Sequence, residues 1–508
     1  MIEHIFVVML ENRSFDQMLG FSEIQGVSAE NGSLTKIDGL SGTENNPSPK
    51  GGNIGVSFPA EFVLNADPGH EFTNVREQLC GNNGDFSSPT PPPGTIDPKT
   101  SNSGYVYDFA SKYPDKDWST VMKCFQPNQL PVLTALAKEF AVLDQWFSSM
   151  PGPTWPNRFF LHAATAGGLD HSPSLPKEIV SMAGDAYRFD NGTIFDLLDS
   201  AKLDWTIYCG DQFPQSLHMK GMVENFGKGK FQPYSKFQSD LTKDFAKSYV
   251  FIEPNWHPFT HFRCGNSQHP LDDVTRGEQL LKEVYEAIRK SPLWEKSLLI
   301  ITYDEHGGFF DHVRPPTTID PGDSVTSPDN NRYGFNFRQL GVRVPAIVVS
   351  PYVARGIVDH RLYEHCSVLS TIEKQFGLTN LTRRDKQASP LDRLLTLTNP
   401  RTDTPKALPS PADSNVKCTR LSDIIAEAES VLDDAATRLG LREPKPVDPS
   451  VSGFVHVALL RKLSVSATGE RNSVVREALA VHSEGNALRY LRRVRKQILK
   501  SELARPVS

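Results

Sequence analysis

Ile5-Phe6-Val7-Val8-Met9-Leu10-Glu11-Asn12-Arg13-Ser14-Phe15-Asp16 decides how the rest of the chain is read. Six apolar residues in succession, with no polar face, fit a strand buried on both sides, as in a parallel sheet covered by helices. The run stops at a carboxylate and a carboxamide. In open α/β sheets ligands bind beyond the carboxyl ends of strands. A Glu-Asn pair there offers hard oxygen ligands suited to Mg2+, Ca2+ or Mn2+. Taken alone, the same residues equally read as an Asx-type turn with a helix cap.

The pattern recurs along the chain. Apolar runs at Ala141–Phe147, Trp205–Tyr208, Tyr249–Ile252, Leu298–Tyr303 and Val344–Val349 predict further strands. Helical periodicity marks Leu130–Glu139, Arg158–Ala166, Thr275–Lys290 and Val368–Phe376. The alternation predicts an α/β domain with a mostly parallel central sheet and helices on both faces. Gly81–Gly104, with Pro91-Pro92-Pro93 inside it, and Asp320–Asn331 read as long exposed loops.

Beyond residue 398 the texture changes. Asn399–Cys418 and Arg442–Gly453 read as Pro-bearing linkers, and Leu421–Gly440 and Arg471–Leu503 as helical stretches. The predicted division is therefore a catalytic domain over 1–398 and a linker with helical appendage over 399–508.

With 508 residues the chain is long enough for a large core, and 38% hydrophobic with 22% charged residues excludes wholesale disorder. The net charge of −6 is too mild to imply a nucleic-acid partner. It is unevenly spread: from Val451 onward 11 Lys/Arg face 4 Asp/Glu, so this tail carries +7. No apolar run reaches the roughly 20 residues of a membrane helix, and the N-terminal apolar run is too short for a secretory signal. If Met1 is the true start, a cytoplasmic or peripheral-membrane location is expected. The six cysteines form no CxxC and permit disulfides without demanding them.

Three further clusters carry chemistry. Tyr303-Asp304-Glu305-His306-Gly307-Gly308-Phe309-Phe310-Asp311-His312 follows an apolar strand. Adjacent carboxylates at a strand end repel unless a cation or partner offsets them, although a solvated acidic loop is the bland reading. Met150-Pro151-Gly152-Pro153-Thr154-Trp155-Pro156-Asn157-Arg158 lies between a strand and a helix. Pro156 suits a first helical turn, which leaves the Thr154 hydroxyl near free N–H groups and the positive end of the dipole. Thr154 equally reads as no more than a cap, and its hydroxyl needs a base or metal to become a nucleophile. Of fourteen histidines, His70, in Asp67-Pro68-Gly69-His70, and His269, in Gln268-His269-Pro270, are the preferred proton carriers; His312 follows, and His365 precedes a helix.

These motifs, in this order, resemble the phosphoesterase family of bacterial phospholipases C, plant non-specific phospholipases C and related acid phosphatases. That family sits in the alkaline-phosphatase-like superfamily. The similarity spans roughly residues 4–377 and includes Val344-Pro345 and Ser350-Pro351-Tyr352. It implies an alkaline-phosphatase-like three-layer core. It also implies a divalent metal ion held by Glu11, Asn12, Asp304 and Glu305 with the Thr154 oxygen close or bound, and Thr154 as nucleophile. His70 and His269 match histidines near the scissile phosphate. Where acid-phosphatase members carry His-His-Gln-Pro, this chain has Lys230-Phe231-Gln232-Pro233, which favours the phospholipase-C-like reading.

The expected reaction is metal-assisted, two-step phosphoester hydrolysis through a phosphothreonine, with His269 first in line to protonate the departing alcohol. Arg158 and His312 are expected to bind phosphate. An acid phosphatase acting on small monoesters is the second reading, and a non-catalytic membrane- or partner-binding protein the third. The basic tail is a candidate for contact with anionic lipid, or simply a helix face packed on the core.

Overall fold

The computed structural model describes residues 2–173, 186–324, 330–418, 428, 443–466 and 468–503. Ten strands form one sheet: β1 (His4–Leu10), β2 (Gln25–Ser28), β3 (Leu34–Lys36), β4 (Ala141–Leu143), β5 (Asp204–Cys209), β6 (Phe231–Pro233), β7 (Lys247–Glu253), β8 (Ser297–Tyr303), β9 (Ala346–Val349) and β10 (Ile357–Asp359). Their spatial order is β3-β2-β10-β4-β9-β8-β1-β7-β5-β6. Most neighbours run parallel; β9 runs antiparallel to both β8 and β4, and β3 to β2.

Register shows which helices cover which face. Phe6 pairs with Val250 and Ile252 with Tyr208, so these side chains share one face. Phe237, from the Phe237–Asp240 helix, packs on it, its ring 6.2 Å from Phe6 and 5.1 Å from Tyr208. Tyr249, Phe251 and Trp205 point the other way. There Phe195 of the Ile194–Ser200 helix meets Trp205 at 4.5 Å, and His162 of the Thr154–Ala163 helix meets Phe251 at 4.7 Å. Helices thus cover both faces, as the strand pattern requires.

The central strands match expectation within a residue or two. The Ala141–Phe147 run divides instead: Ala141–Leu143 joins the sheet, while Trp146–Phe147 pairs with Tyr363–Glu364 in a separate ribbon. The short strands β2, β3, β6 and β10 carry too few apolar residues to be read in advance. The helix expected from Arg158 begins at Thr154, with Pro156 in its first turn, where the missing N–H costs no helical bond. Gly81–Gly104 holds no helix or strand. The predicted helix Leu421–Gly440 lies, apart from residue 428, outside the described residues, and the Asp320–Asn331 loop partly so.

The C-terminal part is built into the core, and residue 398 does not separate two packing units. Thr404, Pro405 and Leu408 accept hydrogen bonds through their carbonyls from Arg289, Tyr285 and Lys282 of the Val274–Lys290 helix. Cys264 and Cys418 form a disulfide. The stretch read as a linker to Gly453 contains a helix start: Asp448 caps Pro449–Leu463 by accepting the Ser450 N–H at 2.9 Å. Nearly every residue of that helix is buried. A helix covered on all sides has no polar face, so it shows no amphipathic period in sequence. The basic run is partly consumed inside: Arg492 donates to the Phe259 carbonyl at 3.0 Å, and the Arg495 guanidinium lies 4.3 Å from the Phe259 ring. Among the described residues no helix is long and apolar enough to cross a membrane.

Candidate active site

The parallel register of β1 and β8 ends with Leu10 opposite Tyr303. The next residues, Glu11-Asn12 and Asp304-Glu305, therefore leave the sheet side by side. Asp304 N donates to Leu10 O, Asn12 N to Asp304 Oδ1 at 3.0 Å, and Arg13 N to Glu305 O at 2.9 Å. This crossing needs two glycines. A Cβ on Gly307 (φ +66°) would lie 2.1 Å from the Asn12 carbonyl oxygen, and one on Gly308 (φ +75°) 2.5 Å from that of Gly69. The close approach these glycines permit is to the strand-end loops themselves. It places the residue before His70 under the carboxylate loop.

Thr154 is delivered by the turn before its helix. Asn157 fastens that turn: its Oδ1 accepts from Met150 N at 3.1 Å, and its Nδ2 contacts the carbonyls of Met150, Gly152 and Pro153. The Thr154 hydroxyl then lies 3.2 Å from Asn12 Oδ1. Arg158, one turn further on, donates through Nε to Asp304 Oδ2 at 3.0 Å and through Nη2 to the carbonyls of Met9 and Leu10. Its guanidinium lies over the Trp256 ring at 4.5 Å.

Glu11, Asp304 and Glu305 are all buried, and Arg158 is the cation bound among them. Burial, and next the charge of Asp304, hold the Glu11 carboxyl well above the usual carboxylate range. Burial does the same to Glu305, with Asp304 adding to it. Glu11 Oε2, Glu305 Oε1, Asn12 Nδ2 and Arg158 Nη1 are buried without a hydrogen-bond partner. Orphaned carboxylate oxygens in a cluster of excess negative charge are the setting a hard divalent cation neutralises, so these residues fit an oxygen-ligated metal. Asp304 is the most committed of the set, since both its oxygens already accept hydrogen bonds. His365 supports it, with Nδ1 accepting from Trp146 Nε1 and Nε2 donating to the Asp304 carbonyl at 2.7 Å.

His70 and His269 face each other edge to face, centroids 6.3 Å apart. Asp67 Oδ1 lies between them, 3.9 Å from His70 Nδ1 and 3.7 Å from His269 Nε2. Burial by itself would lower the His70 pKa, but the charges of Asp67 and Glu305 outweigh it and raise it to about 9. Burial, then the positive charges of His70 and Arg13, hold His269 well below the ordinary histidine value. Its Nδ1 accepts from Leu271 N at 3.3 Å, which puts the single ring proton on Nε2. Arg13 binds the carbonyls of Gln268 and His269, and the Phe262 ring stacks on His269 at 3.9 Å. A cleft of about 370 Å³ is lined by Glu71, the residue after His70, and by Ser172, Tyr333, Pro449 and Ser452 among others.

His312 belongs to a different cluster. Its Nδ1 lies 2.7 Å from Asp16 Oδ2 and its Nε2 3.2 Å from Asp38 Oδ1. Ligand atoms of Asp16, Asp311 and His312 lie within 4.8 Å of one another, close enough in principle for a metal. Arg343 already bridges both carboxylates at 2.9 Å, however, which offsets part of their charge. That cluster is a buried ion-pair network holding the Asp16 and Asp311 loops together. Lys230-Phe231-Gln232-Pro233 runs along the outermost strand of the sheet, with Lys230 ion-paired to Asp204 at 2.8 Å.

Sequence reasoning passed over Asp67, Asn157, Arg13 and the aromatic partners of the site. Asp67 stands three residues before His70, and Asn157 three after Thr154 and next to Arg158, so proximity in sequence was the one available signal for both.

A model of the Phosphoesterase family matches residues 2–379. Non-specific phospholipase C6 of Arabidopsis thaliana is 39% identical over 428 residues, covering 81% of this chain and 75% of the relative. Phospholipase C B of Mycobacterium tuberculosis is 28% identical over 420 residues, 75% of each chain. A solved structure of a protein in the alkaline phosphatase superfamily from Vibrio parahaemolyticus overlaps 52% of this chain and 66% of its own, at 13% identity and a TM-score of 0.30.

Proposed function

The chain belongs to the Phosphoesterase family, and from that premise we propose that it hydrolyses phospholipids as a phospholipase C, releasing diacylglycerol and a phosphorylated head group. The observation that carries this reading is the Thr154 hydroxyl, 3.2 Å from Asn12 Oδ1, at a helix N-terminus beside buried carboxylates with unpartnered oxygens. Its relatives among the plant and mycobacterial phospholipases C support the substrate class.

Glu11, Asn12, Asp304, Glu305 and the Thr154 oxygen would hold a divalent cation, which when bound lowers the Thr154 hydroxyl pKa and withdraws charge from a phosphoryl oxygen. Thr154 Oγ1, deprotonated, attacks phosphorus and forms a phosphothreonine as the bond to the glycerol oxygen breaks. His70, held protonated by Asp67 and Glu305, gives that oxygen its proton. Now neutral, His70 takes a proton from water, which attacks the phosphothreonine, frees the head-group phosphate and returns the Thr154 oxygen. His269 is uncharged with its proton on Nε2, so it serves as a hydrogen-bond donor. The sequence reading put His269 first as the acid; the mechanism proposed here gives that step to His70. Arg158 Nη1, Asn12 Nδ2 and the N–H groups at the start of the Thr154 helix are further donors for the phosphoryl oxygens.

Contact with anionic lipid is proposed for the outward basic residues of the Glu484–Leu503 helix. The Cys264–Cys418 bond supports an oxidising compartment over the cytosol. The test is release of head group from phosphatidylcholine vesicles, with p-nitrophenyl phosphate in parallel, under chelator and with Mg2+, Ca2+ or Mn2+ restored. Cation-dependent diacylglycerol formation is expected. Turnover of the monoester alone would make the protein a phosphatase, and turnover of neither would overturn the reading.

A further inference from the structure

The proline-rich segment Gly81–Gly104 supplies no residue to the site, yet it is tied to a second surface segment, residues 314–340. Gly94 N donates to the Thr317 carbonyl at 2.8 Å and Thr317 N to that of Thr95 at 2.7 Å. Asn336 Nδ2 donates to Thr90 Oγ1 at 2.7 Å. Within the segment the buried Asp97 carboxylate accepts from Ser87 N at 2.8 Å and Lys99 N at 3.0 Å. A long loop without such ties would lose conformational entropy on meeting a partner, whereas this one presents its surface already formed.

That surface is apolar and cationic. Ile96 is 39% and Tyr333 40% exposed, unusual for side chains of their size, and Pro92, Pro93 and Pro98 are exposed along the same loop as Ile96. Lys99 and Arg314 are exposed too, and the atoms that hold them are carbonyl oxygens: Lys99 Nζ lies 3.5 Å from Phe86 O and Arg314 Nη1 3.1 Å from Thr100 O. The two acids of the loop are already occupied, Asp97 as described and Asp85 by Arg76 at 3.9 Å.

The surface also adjoins the site. The rings of Phe86, Tyr333 and Phe335 lie 6.4, 5.4 and 5.0 Å from that of Phe72, which stands two residues after His70. Tyr333 shares the lining of the 370 Å³ cleft with Glu71.

We propose that this surface docks on a phospholipid bilayer, with Ile96 and its neighbouring prolines entering the interface and Lys99 and Arg314 meeting anionic head groups. An apolar side chain gains by leaving water, and cations close to an anionic leaflet gain about 1 kcal/mol each. Exposed apolar groups alone would suit a protein partner as well; the two cations beside them, next to a site for phosphoester chemistry, favour lipid. The inference rests on the phospholipase reading, whose substrate lies in a bilayer, and it places a docking contact on the catalytic domain itself, apart from the Glu484–Leu503 helix.

The experiment uses the full chain and measures co-sedimentation with vesicles of phosphatidylcholine, with and without phosphatidylserine. Ile96→Glu should bind both kinds of vesicle at least about tenfold more weakly than wild type, and Ile96→Phe at least as tightly. Lys99→Glu should lose about tenfold on vesicles containing phosphatidylserine and little on phosphatidylcholine alone. Leu34→Glu alters a side chain that is 90% exposed on β3 at the far edge of the sheet, and should stay within about twofold of wild type. All four variants should turn over the water-soluble p-nitrophenyl phosphorylcholine within about twofold of wild type, which shows that each is folded. If wild type does not bind vesicles, if Ile96→Glu binds as wild type does, or if Leu34→Glu loses as much, the docking surface is wrong. If wild type binds vesicles through Ile96 but turns over neither phosphatidylcholine nor the soluble ester, the phospholipase reading fails and the surface stands.

Discussion

The Thr154 hydroxyl and the Asn12 carboxamide oxygen lie 3.2 Å apart although 142 residues separate them. Two loops bring this about: one leaves β1 at Glu11, and the other is held by Asn157 ahead of its helix. In the mechanism proposed here that hydroxyl is the reacting group. Thr154→Ala should lose at least about 10⁴-fold in kcat with unchanged fold and metal content, and Thr154→Ser should retain most of the activity. Single-turnover labelling with a head-group-labelled lipid checks the covalent step. Activity surviving in Thr154→Ala would exclude it.

Glu11 and Glu305 have carboxyl groups held above the unfolded range, by burial first and by Asp304 next. A raised folded-state pKa contributes stability below the unfolded value that is lost as pH rises through the folded value. Chelator-treated protein should therefore become more stable on acidification from neutral pH, and divalent cation should raise the melting temperature most at alkaline pH. Glu11→Gln should abolish turnover and shrink that metal-induced rise. Differential scanning calorimetry over a pH series decides it; a melting temperature indifferent to divalent ions at every pH would remove the metal from this site.

His70 makes the opposite kind of probe, because its raised pKa belongs to a cation. With a folded value of about 9 against 6.5 in a free histidine, its contribution to stability is complete below about pH 6.5 and fades as pH rises towards 9. As the acid of the first step it should also impose an alkaline limb on kcat near that pH. His70→Asn should flatten both the stability profile over that window and the limb. An unchanged alkaline limb in His70→Asn would assign the proton to another group.

Asn157 offers a test of the turn. Asn157→Ala leaves the Met150 amide and the carbonyls of Gly152 and Pro153 without the partners that hold Thr154 in place. Losing buried hydrogen-bond partners costs about 1–3 kcal/mol, and kcat should fall further than that stability loss accounts for at temperatures where the variant is folded. Urea denaturation alongside steady-state kinetics measures both. Wild-type kcat in a destabilised variant would make Asn157 a purely structural residue.

Glu11-Asn12 and Asp304-Glu305, the proposed oxygen ligands, could be singled out from sequence because each pair follows directly on a strongly patterned strand, whereas the role proposed for Thr154 came from the resemblance. Apolar runs such as Ile5–Leu10 and Leu298–Tyr303 announce strands buried on both faces, and the ends of such strands are where chemistry accumulates. Asp67 was not legible in the same way, since it lies in a loop with no periodic element to anchor it. The Pro449–Leu463 helix escaped for the opposite reason: it is buried on every side, so its pattern carries no contrast between faces. His312 shows the remaining difficulty. A histidine after an aspartate in a Gly-rich loop looks the same in sequence whatever surrounds it, and the ion pairs of His312 with Asp16 and Asp38 appear only in the fold.

Local pattern by itself determined the α/β architecture and the composition of the reactive loops, because hydrophobic periodicity and strand ends are properties of short segments. Two things were left to the tertiary structure: the parallel register that sets Glu11 beside Asp304, and the approach of Asp67 to both His70 and His269. Each depends on distances between groups far apart in the chain, and on the loss of water around them, and neither quantity exists until the chain has folded.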